Sequence, residues 1–194
     1  MRPADPGVVA GVDEVGRGAL AGPVLVAAVI LTVPVEGIAD SKTLCAARRN
    51  VLAAEIRRTA IWALGAASVA EIDRLNILRA TLLAMQRAVR RLPRPPERVL
   101  VDGNVAPHLG IATDCIVDGD ALVPVIGAAS IVAKVARDAL MCRLANRFPD
   151  YSWQSNVGYG TPAHRDAIAR CGLSPYHRRS FAPVRTAQLS LLAG

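Results

Sequence analysis

The sequence predicts an α/β protein: a mixed five-stranded sheet flanked by helices, followed by a short helical, turn-rich segment at the C-terminus. Three observations carry this class. Short β-branched apolar runs alternate with longer stretches of helical apolar periodicity. Their order is two strands, helix, strand, helix, strand, short strand, helix. Three of the strand-like runs also end in a carboxylate.

The elements follow in order. VVAGVD (8–13) and VLVAAVILT (24–32) are the first two strands, close enough to pair as an antiparallel hairpin. Asp40-Ser41-Lys42 precedes a helix to about residue 58, with Leu44, Val51, Leu52 and Ile56 as its apolar stripe. AIWALGAAS (60–68) is the third strand. Residues 69–92 read as one helix with Ile72, Leu75, Leu82, Met85 and Val89 on one face, stopped by Pro93, Pro95 and Pro96. RVLVD (98–102) and IATDCIV (111–117) complete the strands, and an alanine-rich helix follows Pro124 to about Phe148. The rest is turn-rich with one short helix at 161–171. Without repeats or long linkers this is one domain: a core over 1–148 and a basic segment over 149–194 that packs on it.

Composition narrows the possibilities. The 194 residues are 52% hydrophobic and 20% charged, which excludes a disordered chain. A net charge of +7 favours an acidic polymer as partner, while 4% aromatics disfavours a single-strand binder built on stacked rings. Cys45, Cys115, Cys142 and Cys171 form no CxxC pair, so reduced, mostly structural thiols and a cytoplasmic location are expected. The apolar run 19–35 is broken by Gly22-Pro23 and closed by Pro34, leaving a buried strand instead of a membrane span.

Asp13, Glu14, Asp102 and Asp120 stand at or just past apolar strands. Burying such acids together is costly because like charges repel, and a divalent cation removes that cost. Hard oxygen ligands select Mg2+ or Mn2+ over zinc. Aspartate before glycine also opens turns, and Asp114 and Asp118 compete with Asp120 for the fourth position. Gly16, Gly18 and Gly22 match a dinucleotide-binding spacing, but Pro23 and a β-branched run stand where that motif needs a helix. Glycines around Arg17 beside a metal cluster instead suit close backbone approach to a ribose or phosphate.

The block GVDEVGRGALAGPVLVAAVIL (11–31) closely resembles the N-terminal signature of the ribonuclease HII, or type 2 ribonuclease H, family. The resemblance continues through DSKTL (40–44), EIDRLNILRATLLAM (71–85), VLVDGN (99–104) and GDALVPVIGAASIVAKVARDALM (119–141). It ends with NVGYGTPAH (156–164) and LSPYHRRSFAPV (173–184). The resemblance implies a ribonuclease H-like fold and an endoribonuclease that hydrolyses the RNA strand of RNA–DNA hybrids. It further implies nicking 5′ to single ribonucleotides in duplex DNA, leaving 3′-hydroxyl and 5′-phosphate ends. The family's four acids fall on Asp13, Glu14, Asp102 and Asp120, the implied ligands of Mn2+ or Mg2+ in two-metal hydrolysis. The Gly16-Arg17-Gly18 backbone is the implied reader of the ribose 2′-hydroxyl, and Tyr159 packs on the following deoxyribose.

Lys42 and Lys134 are the lysines of a chain that otherwise uses arginine. Lys42 is a candidate phosphate contact, and Lys134 lies one turn after Ser130 on the helix behind Asp120. Residues 143–185 carry seven arginines against two aspartates, a surface suited to phosphates, with His177 and Arg178 in the family's PxHR stretch. Asp118 and Val157 stand where many relatives carry basic residues. A ribonuclease HIII-like hybrid nuclease and a non-catalytic hybrid-binding module are the alternatives. A monomer with no membrane association is expected.

Overall fold

The computed structural model describes residues 7–38 and 44–193, with side chains described to residue 188. Asp40, Ser41 and Lys42 lie outside the described residues. The sheet is built from β1 (Val9–Val15), β2 (Val24–Ile30), β3 (Ile61–Ala67), β4 (Arg98–Asp102) and β5 (Ala112–Ile116), in the order β3-β2-β1-β4-β5. β1, β2 and β3 pair antiparallel, whereas β4 runs parallel to both β1 and β5. The sheet is therefore mixed, and β1 sits at its centre.

Helices cover both faces. α2 (Val69–Leu75) and α3 (Ile77–Arg90) pack on one, over Ala10, Val12, Val24, Val26 and Ala28. α1 (Ala46–Thr59) and α5 (Pro124–Arg147) pack on the other, over Ala27 and Val29. Every residue of β2 is buried as a result, which explains the uninterrupted apolar run in the sequence. α5 comes especially close to β1: a Cβ on Gly11 would overlap the Val125 carbonyl. Among the described residues, no helix is long and apolar enough to cross a membrane.

Several expectations need correction. The segment 69–92 is two helices, because Asn76 adopts φ 70° and its side chain caps the second by accepting from the Arg79 amide at 3.1 Å. The break turns Leu75 partly out of the apolar face. On α1, Leu52, Ala53 and Ile56 are buried but Val51 is 56% exposed, so the stripe is narrower than its spacing suggests. The four cysteines are exposed and free, not packed in the core. Asp13 and Glu14 lie within β1, not at its end, and Asp120 lies in a one-turn helix, α4 (Gly119–Leu122).

The C-terminal region is also more helical than its turns suggest. A 3-10 turn (Pro149–Tyr151), α6 (Trp153–Asn156), α7 (Pro162–Cys171) and α8 (Ala182–Ala193) follow α5. Tyr151, Trp153, Ile168 and Val184 close over Leu20, Ala21, Met141 and Leu144, so this region and α5 share one apolar cluster. An isolated bridge joins Ala21 to His177.

Gly11→Ala should lower stability by about 1–3 kcal/mol, since α5 must shift to admit the methyl. Gly18→Ala, whose Cβ meets nothing within 4 Å, should stay within about 0.5 kcal/mol. Urea denaturation of both variants measures the difference, and equal midpoints would contradict the close packing of α5.

Candidate active site

Strand register assembles the acids. β1 and β4 are parallel with Val12 opposite Val101, so Asp13 and Asp102 follow at the same edge of adjacent strands. Alternation along β1 sends Ala10 and Val12 toward α3 and turns Gly11 and Asp13 toward α5. There the Ser130 hydroxyl hydrogen-bonds the Asp13 carboxylate, which also accepts from the Glu14 amide at 2.6 Å. Asp102 accepts from the Gly119 amide at 2.8 Å, which ties the start of α4 to the end of β4. Asp120, the next residue, is 5% exposed.

These four acids line one cavity of about 490 Å³ together with Gly16, Arg17, Gly18, Ser130, Lys134 and Tyr159. Every site residue expected from the sequence is thereby brought together except Lys42, which lies outside the described residues. The competitors for the fourth acid are elsewhere. Asp114 pairs with Arg98 at 2.6 Å on the surface, and Asp118 is an exposed residue at φ 54° before α4. Lys134 reaches the cavity and pairs with Asp138 at 2.9 Å. Arg17 pairs with Glu14 at 3.1 Å.

The electrostatics are those of an acid cluster short of positive charge. Burial, then the Glu14 charge, pushes Asp13 up to about 8 despite the Ser130 hydrogen bond, and Asp102 adds to the effect. Burial also raises Glu14, against the pull of Arg17. Among the described residues, no three acid, imidazole or thiol groups converge into a cage for a single ion. The donor set nevertheless fits a hard divalent cation, being all carboxylate oxygen and carrying surplus negative charge that such an ion offsets.

Tyr159 is held from behind by a buried chain of hydrogen bonds. The Ser174 amide donates to His177 Nδ1 at 2.9 Å, which leaves the His177 proton on Nε2, facing His164 Nε2 at 3.1 Å. His164 Nε2 also accepts from Trp153 Nε1 at 3.0 Å, and its Nδ1–H donates to the Tyr159 carbonyl at 2.9 Å. This pattern needs both rings neutral. Burial, then the neighbouring His164, pushes His177 down to about 4, and burial also lowers His164.

The sequence reading overlooked Arg137, a fully buried arginine beneath the Gly16–Pro23 turn. A signal was present: Arg137 falls on the same buried stripe of α5 as Ser130, Ala133, Met141 and Leu144. A charge on that stripe has to find partners inside the protein.

A mixed sheet in this order, with acids on β1, β4 and α4, is the ribonuclease H-like fold. The model of the family described as Ribonuclease HII matches residues 10–184. A ribonuclease HII from Bordetella pertussis is 55% identical over 183 residues, covering 93% of this chain and 91% of that protein. Another from Nitrosospira multiformis is 57% identical over 180 residues, covering 91% and 90%. Among solved structures, ribonuclease H2 from Pyrococcus horikoshii OT3 superposes with a TM-score of 0.82 at 23% identity, covering 96% of this chain and 99% of that one. The ribonuclease HII of a PCNA complex from Archaeoglobus fulgidus gives 0.76 at 29% identity, covering 88% and 93%. Bst ribonuclease HIII in complex with Mn2+ shares the fold at 0.75 and 21% identity, covering 95% of this chain and 70% of that one. The chain belongs to the ribonuclease HII family and is an endoribonuclease.

The histidine chain makes stability fall on the acid side. The unfolded chain takes up protons near 6.5, before the folded His177 does near 4, so stabilisation present above pH 6.5 is lost as the pH falls toward 4. The loss expected from His177 is about 3 kcal/mol. Urea midpoints between pH 7 and pH 4 measure it. A His177→Asn variant with the same slope as the wild type would place the titrating group elsewhere.

Proposed function

We propose that this chain nicks duplex DNA on the 5′ side of single embedded ribonucleotides and hydrolyses the RNA strand of RNA–DNA hybrids, leaving 3′-hydroxyl and 5′-phosphate ends. The observation that carries this reading is the shared cavity, in which four carboxylates face the Gly16-Arg17-Gly18 turn and Tyr159. The acids supply ligands for a divalent ion, and the turn supplies backbone groups that approach a sugar closely. A chemistry centre and a ribose reader thus stand within one substrate's reach.

Asp13, Glu14, Asp102 and Asp120 would hold Mn2+ or Mg2+. Bound there, a divalent ion would supply Lewis-acid activation of a water and charge stabilisation for a leaving 3′-oxygen. The protein's own groups prepare the site. Ser130 and the Gly119 amide fix the orientations of Asp13 and Asp102 before substrate arrives. Arg17, 48% exposed and paired to Glu14, can exchange that partner for a phosphate oxygen. Tyr159 presents its ring beside the turn, where it supports the sugar following the ribonucleotide. Six of the seven arginines of residues 143–185, all but the buried Arg178, are exposed and suit the flanking duplex backbone, and the enzyme acts as a monomer.

The defining assay uses a DNA duplex containing one ribonucleotide, with Mn2+, Mg2+ or chelator. A nick 5′ to that nucleotide in either metal, and none in chelator, is expected; an intact duplex in both metals would refute the proposal. Asp13→Asn and Asp102→Asn should each reduce kcat by about 10²-fold or more, because each removes charge from a shared ion site. Near-normal rates in both would remove the metal role from these residues. Arg17→Ala should raise KM more than it lowers kcat, while the metal concentration giving half-maximal rate stays unchanged.

A further inference from the structure

Arg137 and Arg178 are both fully buried, and neither forms a salt bridge with a carboxylate among the described residues. Each spends its guanidinium on three backbone carbonyls. Arg178 Nη2 donates to Gly16, Nη1 to Arg17 and Nε to Gly22, at 2.7, 2.7 and 2.9 Å. Arg137 Nε donates to Pro23, Nη2 to Ala21 and Nη1 to Val157, at 3.1, 3.1 and 2.9 Å. Five of these acceptors lie in the single turn joining β1 to β2, and the sixth immediately precedes the Gly158-Tyr159 loop.

An unpaired buried charge is expensive, so this arrangement must do something a neutral donor cannot. A planar fork whose N–H groups point outward in fixed directions reaches three separated carbonyls from one side chain, where a compact ammonium would have to draw them to a single point. Its consequence follows from peptide geometry. In a trans peptide the N–H points opposite to the preceding C=O. With the Gly16 and Arg17 carbonyls drawn onto Arg178, the amides of Arg17 and Gly18 point away from the interior. Arg17 and Gly18 are exposed and line the acid cavity, and neither amide donates to another described residue. Two adjacent free donors therefore face the cavity.

The second loop is held in the same way. Val157 sits at φ 42°, a backbone state that β-branched residues rarely occupy, and its carbonyl is an Arg137 acceptor. Gly158 then accepts from the Leu20 and Ala21 amides at 2.8 and 3.2 Å, locking the Tyr159 loop to the turn. The Arg137 guanidinium lies 5.6 Å from the Tyr159 ring centre.

We propose that Arg178 and Arg137 are positioning residues for ribonucleotide recognition: by drawing the carbonyls of the β1–β2 turn inward they aim the Arg17 and Gly18 amides, and the Tyr159 ring, at the sugar in the cavity. The inference rests on the reading that this turn meets the ribonucleotide. Neither arginine touches substrate; both act through the backbone they hold. Arg→Lys at either position keeps the charge but replaces a three-carbonyl fork with one ammonium.

The test measures KM and kcat on the single-ribonucleotide duplex, and the inhibition constant of the same duplex made wholly of DNA, for wild type, Arg178→Lys and Arg137→Lys. For Arg178→Lys we expect KM about tenfold higher, kcat within about threefold, and an unchanged inhibition constant for the all-DNA duplex. Arg137→Lys should show a smaller shift of the same kind. Both should keep the wild-type half-saturating metal concentration. A KM within twofold of wild type in both variants overturns the proposal, as does an equal weakening toward both duplexes. Wild type that does not cleave refutes the ribonucleotide reading itself, a separate outcome. Should the variants not fold, amide NMR of the wild-type chain decides. The Arg17 and Gly18 resonances should move with the ribonucleotide duplex and not with the all-DNA one, and identical responses to both overturn the proposal.

Discussion

Val125 and Ile126 press the backbone of α5 against Gly11 at the centre of the sheet, and a side chain of any size at that position would push them apart. The rest of the site depends on that contact. α5 is 24 residues long, so fixing its first turn on β1 determines where everything further along it falls. Ser130 arrives at Asp13, Lys134 at the cavity wall, and Arg137 beneath the β1–β2 turn. Behind its N-terminus, α4 is held against β4 through the Gly119–Asp102 hydrogen bond, and this carries Asp120 to the same place. One close approach of helix to strand therefore sets the position of acids, hydroxyl and guanidinium together.

Charge in this molecule is sorted by depth. Carboxylates line the open cavity, where counter-charge can reach them from solvent. Guanidiniums lie behind the turn that borders it, where only peptide carbonyls are available. Arg17, exposed at the cavity rim, pairs with Glu14 across a solvent-screened contact worth at most about 1 kcal/mol. The arrangement leaves an anionic pocket with a cationic backing. An anionic polymer entering it is repelled by the pocket until that charge is neutralised, and is attracted by what lies behind.

Most of the fold was legible because its signals are local. The β-branched runs, the prolines at 93, 95 and 96, and the acid-bearing segments each report on their own neighbourhood, and the sheet contains all five expected strands. What the sequence did not disclose depends on tertiary context. Asn76 breaks a periodic segment because its side chain caps a new helix start, a choice propensity alone does not dictate. Val51 satisfies the spacing of a buried stripe but lies outside the strip that α5 covers. Asp120 was separated from Asp114 and Asp118 by resemblance, and in the structure a single turn of helix turns it inward. The role of Arg137 required knowing that three carbonyls from two distant segments converge on it.

The central strand has a consequence for how the protein comes into being. β1 is synthesised well before its parallel neighbour β4, which lies some eighty residues later, and before the helix that seals it, which begins at Pro124. Until those segments leave the ribosome, Asp13 is an ordinary exposed carboxylate with no Asp102 or Ser130 beside it. The Tyr159 loop and Arg178 come later still. A nascent chain that stops before these segments thus holds no assembled site, and the enzyme becomes competent only once α5, the Tyr159 loop and Arg178 have all been made.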